Sequence, residues 1–261
     1  MYARVIVGTD GSQRALRAVP VGTHLAAGFG CPVELVHVPA ADDPQGLELA
    51  GARVVHGEDP ARTLVGLAAE TDPAGLLCLS SRGRSALGEV VFGSVAARVL
   101  RTSHAPLLVA GPSLEPPHPR WQRLLVCLDA SDTSASILPA VSAWARHLDL
   151  DVDLLHVGYP TEDGHPGDFE VPEVELLAAD QVAAAAAELE AAGITVRRLV
   201  VAHTHVAAGI VEQASKGGAD LIALATHGRT ALARVVAGSV ALEVIRRAEV
   251  PVLTMRPAHL R

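Results

Sequence analysis

Lysine is almost missing from this chain. Of 261 residues only Lys216 is one, and it stands in the turn-like stretch Ser215-Lys216-Gly217-Gly218. The pattern GxxxxGK[ST] is absent, so a P-loop nucleotidase is excluded, and a strand-borne lysine of the protein-kinase type is equally unavailable. Aromatic side chains are scarce too, 3% of the residues, so the core has to be assembled from Ala, Val and Leu. No uncharged apolar run reaches the roughly 18 residues that a bilayer-spanning helix needs. The opening MYARVIVGTDGS lacks the basic, apolar and cleavage regions of a secretory leader. The three cysteines, Cys31, Cys78 and Cys127, are widely spaced and odd in number, which suits free thiols in a reducing compartment. The expectation is a cytoplasmic protein with no membrane partner. With a net charge of −8 and no dense Lys/Arg run, no nucleic-acid partner is expected either.

What is present is present twice. RVIVGTDGS (4–12) aligns with RLLVCLDAS (123–131), and ELVHVP (34–39) with DLLHVG (153–158), both at an offset of 119. SSRGRSALGEVVFGSV (80–95) aligns with ATHGRTALARVVAGSV (225–240) at an offset of 145, which persists through APLLVA and VPVLTM. The chain is a tandem repeat. The first unit covers 1–111, a proline-rich linker 112–122, and the second unit 123–261.

Each copy alternates short apolar strands with helical segments. Strands are expected near 4–9, 33–38, 52–56, 75–80 and 106–110, then near 123–128, 152–157, 195–201, 220–225 and 251–255. Helices are expected over 13–28, 61–71 and 94–102, then over 132–148, 206–217 and 239–247. The fold class is α/β, with two tandem five-stranded parallel sheets in the order 3-2-1-4-5. The extra residues of the second copy include EVELLAADQVAAAAAELEAAG, an alanine-rich helix closed by Gly193. The same crossover in the first copy is too short for a full helix, so that copy is expected to lack one. Pro106 and Pro251 open the fifth strands and mark them as edges of their own copies. Those two edges are expected to pair, making an internal pseudo-dimer. The missing helix is expected to bare strands two and three of the first copy, a face that a homodimer partner would cover.

In open parallel sheets, ligands bind beyond the carboxyl ends of the strands. Asp10 and Asp129 follow the first strands. Val38 and Val157 end the second, and Ser80 and Ala225 end the fourth. Gly93-Ser94 and Gly238-Ser239 open the last helices, where backbone amides and the helix dipole favour an anion. Ser94 and Ser239 are expected both to cap those helices and to meet phosphate. Arg82, Arg84 and Arg229 offer compensating charge. His203, His205 and His227 lack a carboxylate or cysteine partner in the sequence pattern, so no metal site is expected there.

These segments resemble the universal stress protein family. Its ATP-binding motif, Gly-x2-Gly-x9-Gly-Ser/Thr, is matched in its later part by Gly83-x9-Gly93-Ser94 and by Gly228-x9-Gly238-Ser239. The motif's first glycine is replaced by Ser80 and by Ala225. The resemblance implies a Rossmann-like fold and an adenine nucleotide, ATP with Mg2+, in each copy. Asp10 and Asp129 would face the adenosine, and Val38 and Val157 would line the adenine pocket. Arg84 and Arg229 would reach the phosphates. Thr9, Leu128, Val95 and Val240 flank the matched positions and join the expected binding set. Both clefts are expected to bind, with unequal affinity.

A stress-response or regulatory binding protein follows, with no residue assigned as catalytic and no rapid hydrolysis. The alternatives are a slow ATP hydrolase or phosphoryl-transfer enzyme and a nucleotide-free scaffold. In an enzyme, Asp10, Asp129 and His227 stand nearest to activating a water.

Overall fold

The computed structural model describes residues 1–39, 51–82, 92–103, 105–159, 173–226 and 238–256. The first copy runs β1 (Val5–Thr9), α1 (Ala18–Phe29), β2 (Val33–His37), β3 (Arg53–Val54), α2 (Pro60–Ala69), β4 (Leu76–Ser80), α3 (Ser94–Thr102) and β5 (Leu107–Ala110). The second runs β6 (Arg123–Cys127), α4 (Asp132–Ala135), α5 (Leu138–Leu148), β7 (Asp151–Gly158), α6 (Glu173–Ala191), β8 (Val196–Ala202), α7 (Val206–Gly217), β9 (Leu221–Ala225), α8 (Ser239–Arg247) and β10 (Val252–Met255).

All ten strands share one sheet, ordered β3-β2-β1-β4-β5-β10-β9-β6-β7-β8. Each half therefore has the order 3-2-1-4-5. Every pairing is parallel except the central one, where β5 and β10 run antiparallel with Val252 opposite Val109 and Thr254 opposite Leu107. Strand residues such as Val5, Ile6, Leu124 and Leu125 are wholly buried because helices cover both faces. One core packs α1, α5 and α6 on the sheet through Leu25, Val141, Trp144 and Val182. The other packs α2, α3, α7 and α8 through Leu64, Val99, Ile210 and Val244.

Three local expectations shift. The segment 132–148 is not one helix: it breaks after Ala135 and restarts at Leu138, because Pro139 lacks the amide that a helix interior needs and belongs in a first turn. Residues 15–17 wind as a 3-10 turn before α1 begins at Ala18. β3 shrinks to two residues, paired to β2 only at Arg53 and Val54.

No helix lies between β2 and β3 among the described residues; residues 40–50, on which the expected loss of a helix falls, lie outside them. In the second copy α6 fills that crossover. The consequence is visible on the neighbouring strands: Val33 of β2 is 41% exposed, whereas its counterpart Val152 of β7 is wholly buried.

The copies also meet through aromatics. Phe29 of α1 packs edge-on against Trp144 of α5 at 5.1 Å, and Trp144 Nε1 donates to the Tyr2 hydroxyl at 2.9 Å. Trp121 stacks on His24 at 4.6 Å. Four of the chain's few aromatic residues are thus spent at this junction. The linker is pinned rather than loose: Asp220 accepts from the amides of Gln122 and Arg123 and pairs with His118 Nδ1 at 2.9 Å. Gly111, just before the linker, stands where a Cβ would run into the Ile245 carbonyl.

Candidate functional site

Two cavities lie at the carboxyl ends of the strands, and they are the same place in the two copies. The first is lined by Gly8, Thr9 and Asp10 of the β1 end, Val36 and Val38 of the β2 end, and Leu79, Ser80 and Arg82 of the β4 end. Gly93, Ser94, Val95 and Ala96 at the start of α3 and Pro60 and Leu64 of α2 complete it. The second is lined by Cys127, Leu128, Asp129, Leu155, Val157, Leu224, Ala225, Gly238, Ser239, Val240 and Ala241 at matching places, with Val206 and Ile210 of α7 as the far wall. The expected residues on the described segments therefore converge. Gly83, Arg84, Gly228, Arg229 and His227 lie outside the described residues. Because β5 and β10 are antiparallel, the two clefts open toward opposite ends of the sheet.

The carboxylates sit in turns that their own oxygens hold. Asp10 Oδ1 accepts from the Ser12 amide at 3.0 Å, and Asp129 Oδ1 from the Ser131 amide at 3.1 Å. The residue between them is left-handed in both copies: Gly11 at φ 78° and Ala130 at φ 66°. Glycine adopts that conformation freely; alanine is strained there. The second copy compensates through α6. Gln181 Oε1 accepts from the Ala130 amide and Gln181 Nε2 donates to the Ser131 carbonyl, each at 2.9 Å. His37 and His156 are buried, and each donates from Nδ1 at 2.9 Å to the first-strand carbonyl beside it, Thr9 or Leu128. They tie the ends of adjacent strands together and have a structural part, as their position at the strand ends suggests.

The two helix starts differ from the expectation. Gly93 and Gly238 are the N-caps; Ser94 and Ser239 are the first helical residues, and neither caps its helix through a side chain. Elsewhere the chain does cap: Asp59 accepts from the α2 amides and Ser131 from the Ser134 amide of α4. Backbone geometry does not demand glycine at these two caps, since φ is −69° at Gly93 and −57° at Gly238, which any residue adopts. A side chain is absent where Ser or Asp would stabilise the helix better. What the glycines provide is room in front of uncapped amides, at the positive end of the helix dipole. The Gly93 amide donates to the Ser81 carbonyl at 2.7 Å and the Gly238 amide to the Thr226 carbonyl at 2.5 Å, which sets each helix start beside the end of the fourth strand of its copy.

Sequence reasoning missed the far wall, Pro60 and Leu64 in one cleft and Val206 and Ile210 in the other. The spacing from Pro60 to Val206 and from Leu64 to Ile210 is the same, so one further aligned segment would have found it. It also missed Tyr159, which lines the second cleft and is 64% exposed. His203 and His205 are bound up locally: the His205 amide donates to His203 Nδ1 at 2.9 Å. No group of three or more metal-ligating side chains occurs among the described residues.

A mostly parallel, Rossmann-like α/β sheet made of two copies, with a twin cleft at the strand ends, defines a class of tandem α/β proteins. The model of the Universal stress protein family matches residues 45–111 and 120–256, and the chain belongs to that family. A universal stress protein of Mycobacterium tuberculosis (strain ATCC 25618 / H37Rv) is 25% identical over 295 residues, covering 97% of this chain and 96% of the relative. One from Methanocaldococcus jannaschii is 30% identical over 150 residues, covering 52% of this chain and 82% of the relative. Among solved structures, a universal stress protein from Archaeoglobus fulgidus matches with a TM-score of 0.66 at 18% identity, covering 97% of this chain and 96% of that one. At that identity the likeness is one of fold. No described helix is long and apolar enough to cross a membrane.

Proposed function

We propose that the chain is an ATP-binding regulatory protein of its family, holding the nucleotide with Mg2+ at the strand ends and turning it over slowly or not at all. The observation that carries this is the pair of glycine caps: a helix start with no side-chain cap, lining one cleft with a carboxylate turn and an apolar wall, built twice. The residues fit the ligand. Val38 or Val157 with Leu155 would take the base, Asp10 or Asp129 the ribose, and the Gly93-Ser94 or Gly238-Ser239 amides the phosphates. Mg2+ would arrive with the triphosphate, whose oxygens would hold it together with several retained waters. When bound, the nucleotide supplies charge and bulk that bias conformation or partner choice. The chain's own part is to bind it, orient it and keep water from the apolar wall. The paired fifth strands support reading the chain as an internal pseudo-dimer, and the free thiols of Cys31, Cys78 and Cys127 suit a cytoplasmic setting.

The test is titration calorimetry of ATP with Mg2+ into the parent and into the Gly93→Glu, Gly238→Glu double variant. Binding is expected in the parent and lost in the double variant, with its circular dichroism unchanged. A folded double variant that binds like the parent would mean that the Gly-Ser pairs are helix starts and nothing more.

A further inference from the structure

The twin clefts are not of equal size. The first has a cavity volume of about 90 Å3 and the second about 450 Å3. The second falls within the roughly 300 to 1,000 Å3 of pockets for drug-sized ligands and the first falls below it. The cause is readable in β1. Gly8 has no side chain, and the leucines above it have settled into the gap: a Cβ at Gly8 would come within 2.5 Å of Leu79 Cδ2 and 3.1 Å of Leu64 Cδ1. At the equivalent place β6 carries Cys127, and Leu224 and Ile210, the counterparts of Leu79 and Leu64, line an open cavity with it.

The rim differs as well. Tyr159 follows β7 directly, lines the second cleft and stands 64% exposed. The offset of 119 puts Ala40 at this position in the first copy. Tyr2, Phe29, Trp121 and Trp144 are packed at the junction between copies, so among the described residues an aromatic left open to water is exceptional. An exposed ring at the mouth of an apolar cavity is a platform on which a base can stack.

We infer that the chain is a one-nucleotide protein: the second cleft takes the adenine nucleotide, Tyr159 closes on its base, and the first cleft stays collapsed. This rests on the nucleotide reading above and sharpens it. Tyr159 is then a specificity-determining residue of the second cleft. It recognises the base and not the phosphates.

Calorimetry on the full chain with ATP and with inorganic triphosphate, both with Mg2+, tests it. One ATP per chain is expected. Gly238→Glu should abolish the heat. Tyr159→Ala should weaken ATP by about tenfold, the lower part of the range for losing one base–aromatic stack. It should leave inorganic triphosphate unchanged, while Tyr159→Phe keeps parent affinity. Two ATP per chain, ATP heat remaining in Gly238→Glu, or unchanged ATP affinity in Tyr159→Ala would overturn the inference and leave nucleotide binding standing. A parent that takes up no ATP ends the nucleotide reading and the inference together.

Discussion

β2 and β7 are the same strand written twice, and their surroundings separate them. β7 is buried over nearly its whole length under α6, while the first residues of β2 lie open. Polar neighbours follow the same division. Asp153 of β7 is buried between Arg123 and Arg197, at 3.1 and 2.5 Å. Glu34 of β2 holds Arg4 at 3.0 Å and Arg53 at 2.8 Å in a partly open setting. Asp153 lies on the opposite face of the strand, beside Gly217 of α7, whereas on the face under α6 one helix decides whether the strand becomes core or rim. Through Gln181 it also decides whether a strained turn beside the cleft is braced. The lesson is that a repeat copies backbone architecture more faithfully than it copies environment.

Valine to aspartate at the paired positions should break this comparison most sharply. Val152→Asp places an unpaired charge under α6 and should destabilise the chain by about 4 kcal/mol or more, whereas Val33→Asp should stay within about 1 kcal/mol. Urea unfolding of the two variants measures the gap; equal losses would show that the faces are equally covered. Next in size, Gln181→Ala leaves the Ala130 amide and Ser131 carbonyl without their side-chain partner and should cost about 1–2 kcal/mol by the same measurement. The left-handed turns should respond in opposite directions. Gly11→Ala should destabilise by about 1 kcal/mol and Ala130→Gly should stabilise by about 0.5 kcal/mol, since strain relief is partly offset by the freer unfolded chain.

The smallest effect concerns pH. Desolvation against Trp121 holds the His24 imidazole below its ordinary value, with Asp220 pulling partly the other way. Below an unfolded pKa of about 6.5 the unfolded chain binds a proton that the folded one refuses, so this contribution is intact above that pH and is lost as pH falls through it. Thermal midpoints at two pH values, one on each side of that pKa, should therefore drop less in His24→Phe than in the parent. An identical drop in both would remove His24 from the account.

Much of this architecture is legible in the residues. Unbroken apolar runs such as Val5-Ile6-Val7 and Leu221-Ile222-Ala223 announce buried parallel strands, and the repeated Gly-Ser pairs announce the last helices at their observed starts. The meeting of the fifth strands follows from the prolines before β5 and β10, whereas the order 3-2-1-4-5 is compatible with the crossover pattern without being fixed by it. What escaped depends on contacts between distant segments. Gln181 reaches Ala130 across some fifty residues, and nothing local to either marks the pair. Pro139 did carry a local signal for the break before α5, overridden by the apolar periodicity around it. The collapse of Leu64 and Leu79 over Gly8 needs the packed core to be seen, because at that position the smaller residue accompanies the smaller cavity.

The antiparallel join of β5 to β10 also sets a timetable. Leu107 and Thr254 are opposite each other in the sheet but lie at far-apart points of the chain. At roughly 5–20 residues per second, β5 leaves the ribosome about 7–30 s before its partner exists. During that interval a finished first copy presents an open strand edge, the kind that pairs with whatever strand it meets. The final strand to be made is the one that closes the sheet. A chain truncated just before Val252 would keep most of its core residues and both cleft turns, yet carry that edge permanently into the crowded cell.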